Sequence, residues 1–103
     1  MAKGYWVAFV DVHDPEGYKL YIAENANAFR KYGGRFLTRG GQYEAPEGKP
    51  RSRAVVIEFP TYQAALDCYR SPEYVKAMAL RQGKALMDLS IVEGYEGPQP
   101  TER

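Results

Sequence analysis

From Gly4 to Val12 every position is apolar until Asp11, and Tyr5, Val7 and Phe9 alternate with Trp6, Ala8 and Val10. That pattern predicts a strand covered on both faces. Asp14-Pro15-Glu16 then supplies an N-cap, a proline suited to the first helical position and an acid in the first turn, predicting a helix from about Pro15 to Tyr32. Gly33 and Gly34 read as its C-terminal stop. Phe36 to Gly40 is a second predicted strand, with Gly40 and Gly41 as a bulge or bend at its far end. Because a helix precedes this glycine-rich stretch, it is not a phosphate-cradling loop, which needs a strand before it and a helix N-terminus after it.

Tyr43 to Ser52, broken by Pro46, Gly48 and Pro50, reads as a loop, and Ala-Val-Val-Ile-Glu-Phe makes Arg53 to Phe59 the third strand. Thr61 caps a helix carrying Tyr62, Ala65, Leu66 and Tyr69 on one face, and Ser71-Pro72-Glu73 restarts a second piece to about Gln82, with a kink at the join. Asp88 to Tyr95 is the fourth strand. Residues 1–95 therefore form one domain and 96–103, with two prolines and no large apolar side chain, a flexible C-terminal tail.

The order strand, helix, strand, strand, helix, strand is the ferredoxin-like βαββαβ arrangement, an α+β fold in which a four-stranded antiparallel sheet carries its helices on one face. The alternation in strands one and three leaves neither sheet face suited to water. A homodimer, with two sheets closing face to face into an α+β barrel, is the economical solution.

Composition narrows the function. A formal net charge of +1 and the lack of a basic run argue against nucleic acid. The apolar stretches are strand-sized and the N-terminus has no signal-peptide pattern, so neither membrane insertion nor export is expected and the cytoplasm is the expected location. One cysteine and one histidine cannot build a Cys/His metal site, and no cofactor is called for. Nine tyrosines, against roughly three or four by average usage, suit half-wet cavities or interfaces as well as a small core filled by large residues.

On a helix, Tyr18, Ile22, Asn25, Phe29 and Tyr32 share one face, which puts an amide in the middle of an apolar stripe. Such an amide either bonds a strand backbone or a tyrosine hydroxyl, or it lines a wet cavity where a ligand replaces water. Tyr21, on the edge of the stripe, shares that candidate ligand-binding site. Asp11 and Arg39 fall toward the C-terminal ends of parallel strands one and two, and Arg53 begins antiparallel strand three near the same end. An arginine pair beside a carboxylate either holds an acidic substrate or neutralises the carboxylate. Glu58, near the end of an apolar strand, is a candidate proton shuttle if dry and a solvent-facing terminus if not. Tyr69 and Tyr74 flank the kink, a natural place for a cavity mouth, although packing alone also explains both. His13 reads as an exposed turn residue and Cys68 as small packing off the main apolar face.

Gly4-Tyr5-Trp6, Asp14-Pro15, Tyr32-Gly33-Gly34-Arg35-Phe36-Leu37, Arg39-Gly40-Gly41, Val56-Ile57-Glu58-Phe59-Pro60, Ser71-Pro72-Glu73-Tyr74 and Val92-Glu93-Gly94, in that order, resemble the domain-of-unknown-function 1330 family. The resemblance implies the dimeric α+β barrel superfamily, whose other branches include small monooxygenases, haem-degrading enzymes, lactone isomerases and stress-responsive barrel proteins. It implies a pocket between helix and sheet and no particular reaction. The expected protein is a cytoplasmic homodimer that binds a small organic ligand with a polar or acidic handle at Tyr21, Asn25, Arg39 and Tyr69. If it is an enzyme, cofactor-independent isomerase or monooxygenase chemistry is expected, with Asp11 or Glu58 handling protons. The alternatives are a non-catalytic dimerisation or stress-response module and, more weakly, haem handling, for which His13 is misplaced as a proximal ligand.

Overall fold

Strand β1 (Gly4–Val12) lies inside a four-stranded antiparallel sheet ordered β2-β3-β1-β4, with β2 at Arg35–Arg39, β3 at Arg53–Phe59 and β4 at Ala85–Glu93. Helices α1 (Pro15–Tyr32), α2 (Tyr62–Arg70) and α3 (Pro72–Leu80) complete the ferredoxin-like topology, the second helix being broken in two. This computed structural model describes residues 2–102. Met1, at the start of the expected domain, and Arg103, at the end of the expected tail, lie outside the described residues. Among the described residues no helix is long and apolar enough to cross a membrane.

Local chemistry sets the boundaries. The Asp14 carboxylate accepts the Gly17 N–H at 3.1 Å, Pro15 opens α1, and Gly33 closes it at φ +77°, a left-handed backbone that favours glycine. Ser71 serves as C-cap and N-cap at once. Its hydroxyl donates to the Cys68 carbonyl at 2.7 Å and accepts the Tyr74 N–H at 3.1 Å, so one side chain caps both helix ends at the break between α2 and α3.

Several expected boundaries shift. The fourth strand begins at Ala85, not Asp88, because β1 pairs with it through Val12↔Ala85 and the Lys84 carbonyl accepts the His13 and Asp14 N–H groups; it also ends at Glu93, two residues early. β2 starts one residue early at Arg35 and stops before Gly40, whose φ of +75° turns the chain out of the strand. α3 ends at Leu80, with Arg81 as its cap and not as part of the helix. On α2, Ala65 and Cys68 are the buried residues while Tyr62 is exposed, so Cys68 lies in the core and its thiol is pushed up to about 12, chiefly by burial.

The two faces of the sheet differ. Trp6, Ala8 and Val10 point to the helices and are buried with Ile57 and Phe59. Tyr5, Val7 and Phe9, paired with Glu58, Val56 and Ala54, form the half-buried opposite face. Trp6 anchors the core. Its ring meets Phe29, Phe59, Tyr69 and Tyr74 at centroid distances of 4.9–5.8 Å, and its indole N–H donates to the Ala65 carbonyl at 2.9 Å, tying β1 to α2.

Candidate functional site

Helix α1 is the wall of a cleft whose floor is the inner face of the sheet. Tyr18, Tyr21, Ile22, Asn25 and Phe29 come from the helix, facing Trp6, Ala8, Val10 and Ile57 of the central strands. Asn25 is only 5% exposed, and its amide oxygen has no hydrogen-bond partner. The helical spacing thus leads to a buried amide facing the sheet.

Two arginines complete the lining. Arg53 pairs with Val10 and so faces the helices from the start of β3. Arg39 reaches the same face through a β-bulge. Phe36 pairs with Ile57 and Thr38 with Val56, leaving Leu37 extra, so Phe36 and Arg39 both turn inward although they are three residues apart. Without the bulge, strict alternation would aim Arg39 at the opposite face. Its guanidinium lies 4.0 Å from the centroid of the Phe36 ring, a cation–π contact. The bend at Gly40 packs against the second arginine, and a Cβ there would meet Arg53 Nε at 2.9 Å. Arg53 Nε is buried without a partner, and among the described residues neither arginine is paired with a carboxylate.

The enclosed volume is about 30 Å³, room for one or two waters. A larger ligand needs the lining side chains to shift, and Arg39, exposed and without an ion pair among the described residues, is held there by its contact with the Phe36 ring. Among the described residues no carboxylate and no histidine line the cleft. Its phenols are poor bases. Burial raises Tyr18, against the opposing pull of Arg53, and burial raises Tyr21 well above 10, reinforced by the Tyr74 hydroxyl at 2.7 Å. The arrangement can hold an anion, orient it through an amide and exclude water. It offers no ordinary acid–base residue.

The expected catalytic pair is elsewhere. Asp11 and Glu58 both sit on the opposite face of the sheet, because they share the parity of Phe9 and Val56 and not that of Val10 and Ile57. The Ser52 N–H and hydroxyl, each at 2.8 Å, and Arg51 at 3.1 Å hold the Asp11 carboxyl below its usual 3.8. It is thus a fixed anion, not a group poised near neutrality. Arg51 continues to Asp88 at 3.1 Å. Glu58 accepts the Tyr5 hydroxyl at 3.1 Å and lies 3.8 Å from Arg35. Of the expected ligand-binding residues, Tyr21, Asn25 and Arg39 converge in the cleft. Tyr69 does not, since it packs on Trp6 and Tyr74 and borders a separate open groove with Arg81 and Ile91. Tyr18 belongs to the site through the stripe it shares with Asn25.

A family model described as "Domain of unknown function (DUF1330)" matches residues 3–95. No curated protein matches the sequence. Among solved structures, the RPA0582 protein of unknown function from Rhodopseudomonas palustris is similar, with 17% identity, a TM-score of 0.73 and coverage of 93% of this chain and 85% of that one. SnoaB, a cofactor-independent oxygenase from Streptomyces nogalater, has 13% identity, a TM-score of 0.61 and full coverage of both chains. A dimeric protein of unknown function and ferredoxin-like fold from Bacteroides fragilis has 14% identity, a TM-score of 0.51 and coverage of 88% of this chain and 95% of that one. At these identities the likeness is one of fold.

Proposed function

The chain belongs to the DUF1330 family, whose description assigns no activity, and from its own cleft we propose that it is a cytoplasmic homodimer in which each protomer binds a small organic acid between α1 and the sheet. The observation that carries this reading is the convergence of Arg39 and Arg53, without carboxylate partners, on an apolar cleft that also holds the buried Asn25 amide. Two guanidiniums with no counter-charge favour an anionic guest, and bidentate geometry suits a carboxylate or phenolate. The apolar floor suits its hydrocarbon part. The half-buried apolar face opposite the helices supports the dimer, and the Bacteroides fragilis neighbour is described as dimeric.

If the acid is transformed, the site favours chemistry on an anion that the substrate itself supplies. A guest that is already a phenolate in solution would be held by the arginines as an electron-rich anion open to dioxygen, one oxygen atom entering the ring and the other leaving as water as the phenol becomes a quinone; SnoaB is described as a cofactor-independent oxygenase. A thermal-shift screen of small aromatic acids, lactones and neutral analogues tests the binding reading. An acid at a hundred times its Kd adds about 2.7 kcal/mol, a rise on the order of 10 °C for a domain of this size. Stabilisation selective for acids is expected, and Arg39→Ala or Arg53→Ala should remove it while the dimer remains. Equal response to neutral analogues, or no response to any compound, overturns the acid site and favours a non-catalytic module.

A further inference from the structure

The Asn25 amide oxygen is buried and unpartnered in the wall of the cleft, and two donors on or beside that wall are engaged elsewhere. The Trp6 indole N–H is used by the Ala65 carbonyl at 2.9 Å, and the Tyr21 hydroxyl is paired with that of Tyr74 at 2.7 Å. A buried acceptor left unpaired costs roughly 1–3 kcal/mol, so it selects a guest that can satisfy it. An apolar guest, or one presenting only an acceptor, would leave it stranded.

The placement of the groups orders the guest. Helix α1 starts at the C-terminal end of β1 and runs back along it, so Tyr18 stands beside the Val10 and Arg53 end while Phe29 reaches Trp6 at 5.3 Å. Asn25 is seven residues on from Tyr18, about 10 Å along the helix axis. Arg53, paired with Val10, marks the outer end of the cleft, and Arg39, paired with Val55 and through it level with Ala8, stands farther in. We infer that the acid bound here carries a hydrogen-bond donor, a hydroxyl or an N–H, on the end opposite its carboxylate, and that Asn25 Oδ1 deep in the cleft is the acceptor that selects it. This inference rests on the acid-binding reading above.

The test is a calorimetric titration of the full chain with 4-hydroxyphenylacetate, phenylacetate and 4-methoxyphenylacetate. The three share a carboxylate and a ring and differ in the distal group, which is a donor, absent or an acceptor only. The hydroxy acid is expected to bind roughly ten- to hundredfold tighter than the other two. In Asn25→Leu that preference should disappear, because no acceptor is then left stranded by phenylacetate. Equal affinity for phenylacetate and 4-hydroxyphenylacetate, with both lost in Arg53→Ala, overturns the donor requirement and leaves the acid site standing. Preference for the methoxy acid also overturns it, since the amide would then present its nitrogen. Binding of none of the three removes the acid site and the inference together. The comparison within the natural protein decides the matter even if Asn25→Leu fails to fold.

Discussion

Replacing Trp6 with alanine should destabilise the fold by about 3–5 kcal/mol, the range for truncating a fully buried aromatic. Trp6 is 1% exposed and touches four other rings, so few side chains are free to collapse into the space it leaves. The loss is a large share of the 5–15 kcal/mol that a domain holds. It also strips the Ala65 carbonyl of its 2.9 Å hydrogen bond. Urea denaturation measures it as a lower midpoint with little change in slope. Trp6→Phe separates the two contributions, because it keeps a ring against Phe29 and Tyr74 and loses the indole N–H. A drop below 1 kcal/mol for Trp6→Ala would mean that this ring is not what joins β1 to the helices.

The second large effect concerns assembly. The natural protein is expected to run as a dimer in light scattering at micromolar concentration, burying the face formed by Tyr5, Val7, Phe9 and Val56. Val7 and Val56 are register partners at the middle of that face, on adjacent strands. Changing both to arginine places like charges across the twofold contact, a cost of several kcal/mol, and should raise the dimer dissociation constant by a hundredfold or more. The circular dichroism of the monomer should stay close to that of the parent, because both side chains point away from the helices. A natural protein that is monomeric at tens of micromolar would contradict the face-to-face barrel.

Much of the fold was legible because it is written in short-range patterns. Asp14-Pro15, Gly33 and Ser71-Pro72 mark helix ends by local backbone chemistry, and each acts where it was expected. Asn25 was legible for the same reason, as helical periodicity fixes which side chains share a face. The faces of the sheet were not. Alternation groups Asp11 with Phe9, and Glu58 with Val56, but with both faces apolar it does not say which one the helices cover, so the choice between proton-handling and solvent-facing carboxylates stays open until the register puts both on the face away from the helices. The bulge at Leu37 was equally hidden. It has no required residue type, yet it turns Arg39 inward and with it decides the charge of the site. The Tyr21–Tyr74 hydroxyl pair spans 53 residues of sequence, a contact set by how α3 docks on α1.

The most direct measurement of the central claim is a crystal structure of the protein grown with 4-hydroxyphenylacetate. Ligand density is expected between α1 and the inner face of the sheet, its carboxylate within hydrogen-bond distance of Arg53 or Arg39 and the lining side chains shifted to admit it. Density confined to the outer sheet face or to the groove by Tyr69 and Arg81, with the α1 cleft closed over its own side chains, would contradict the account.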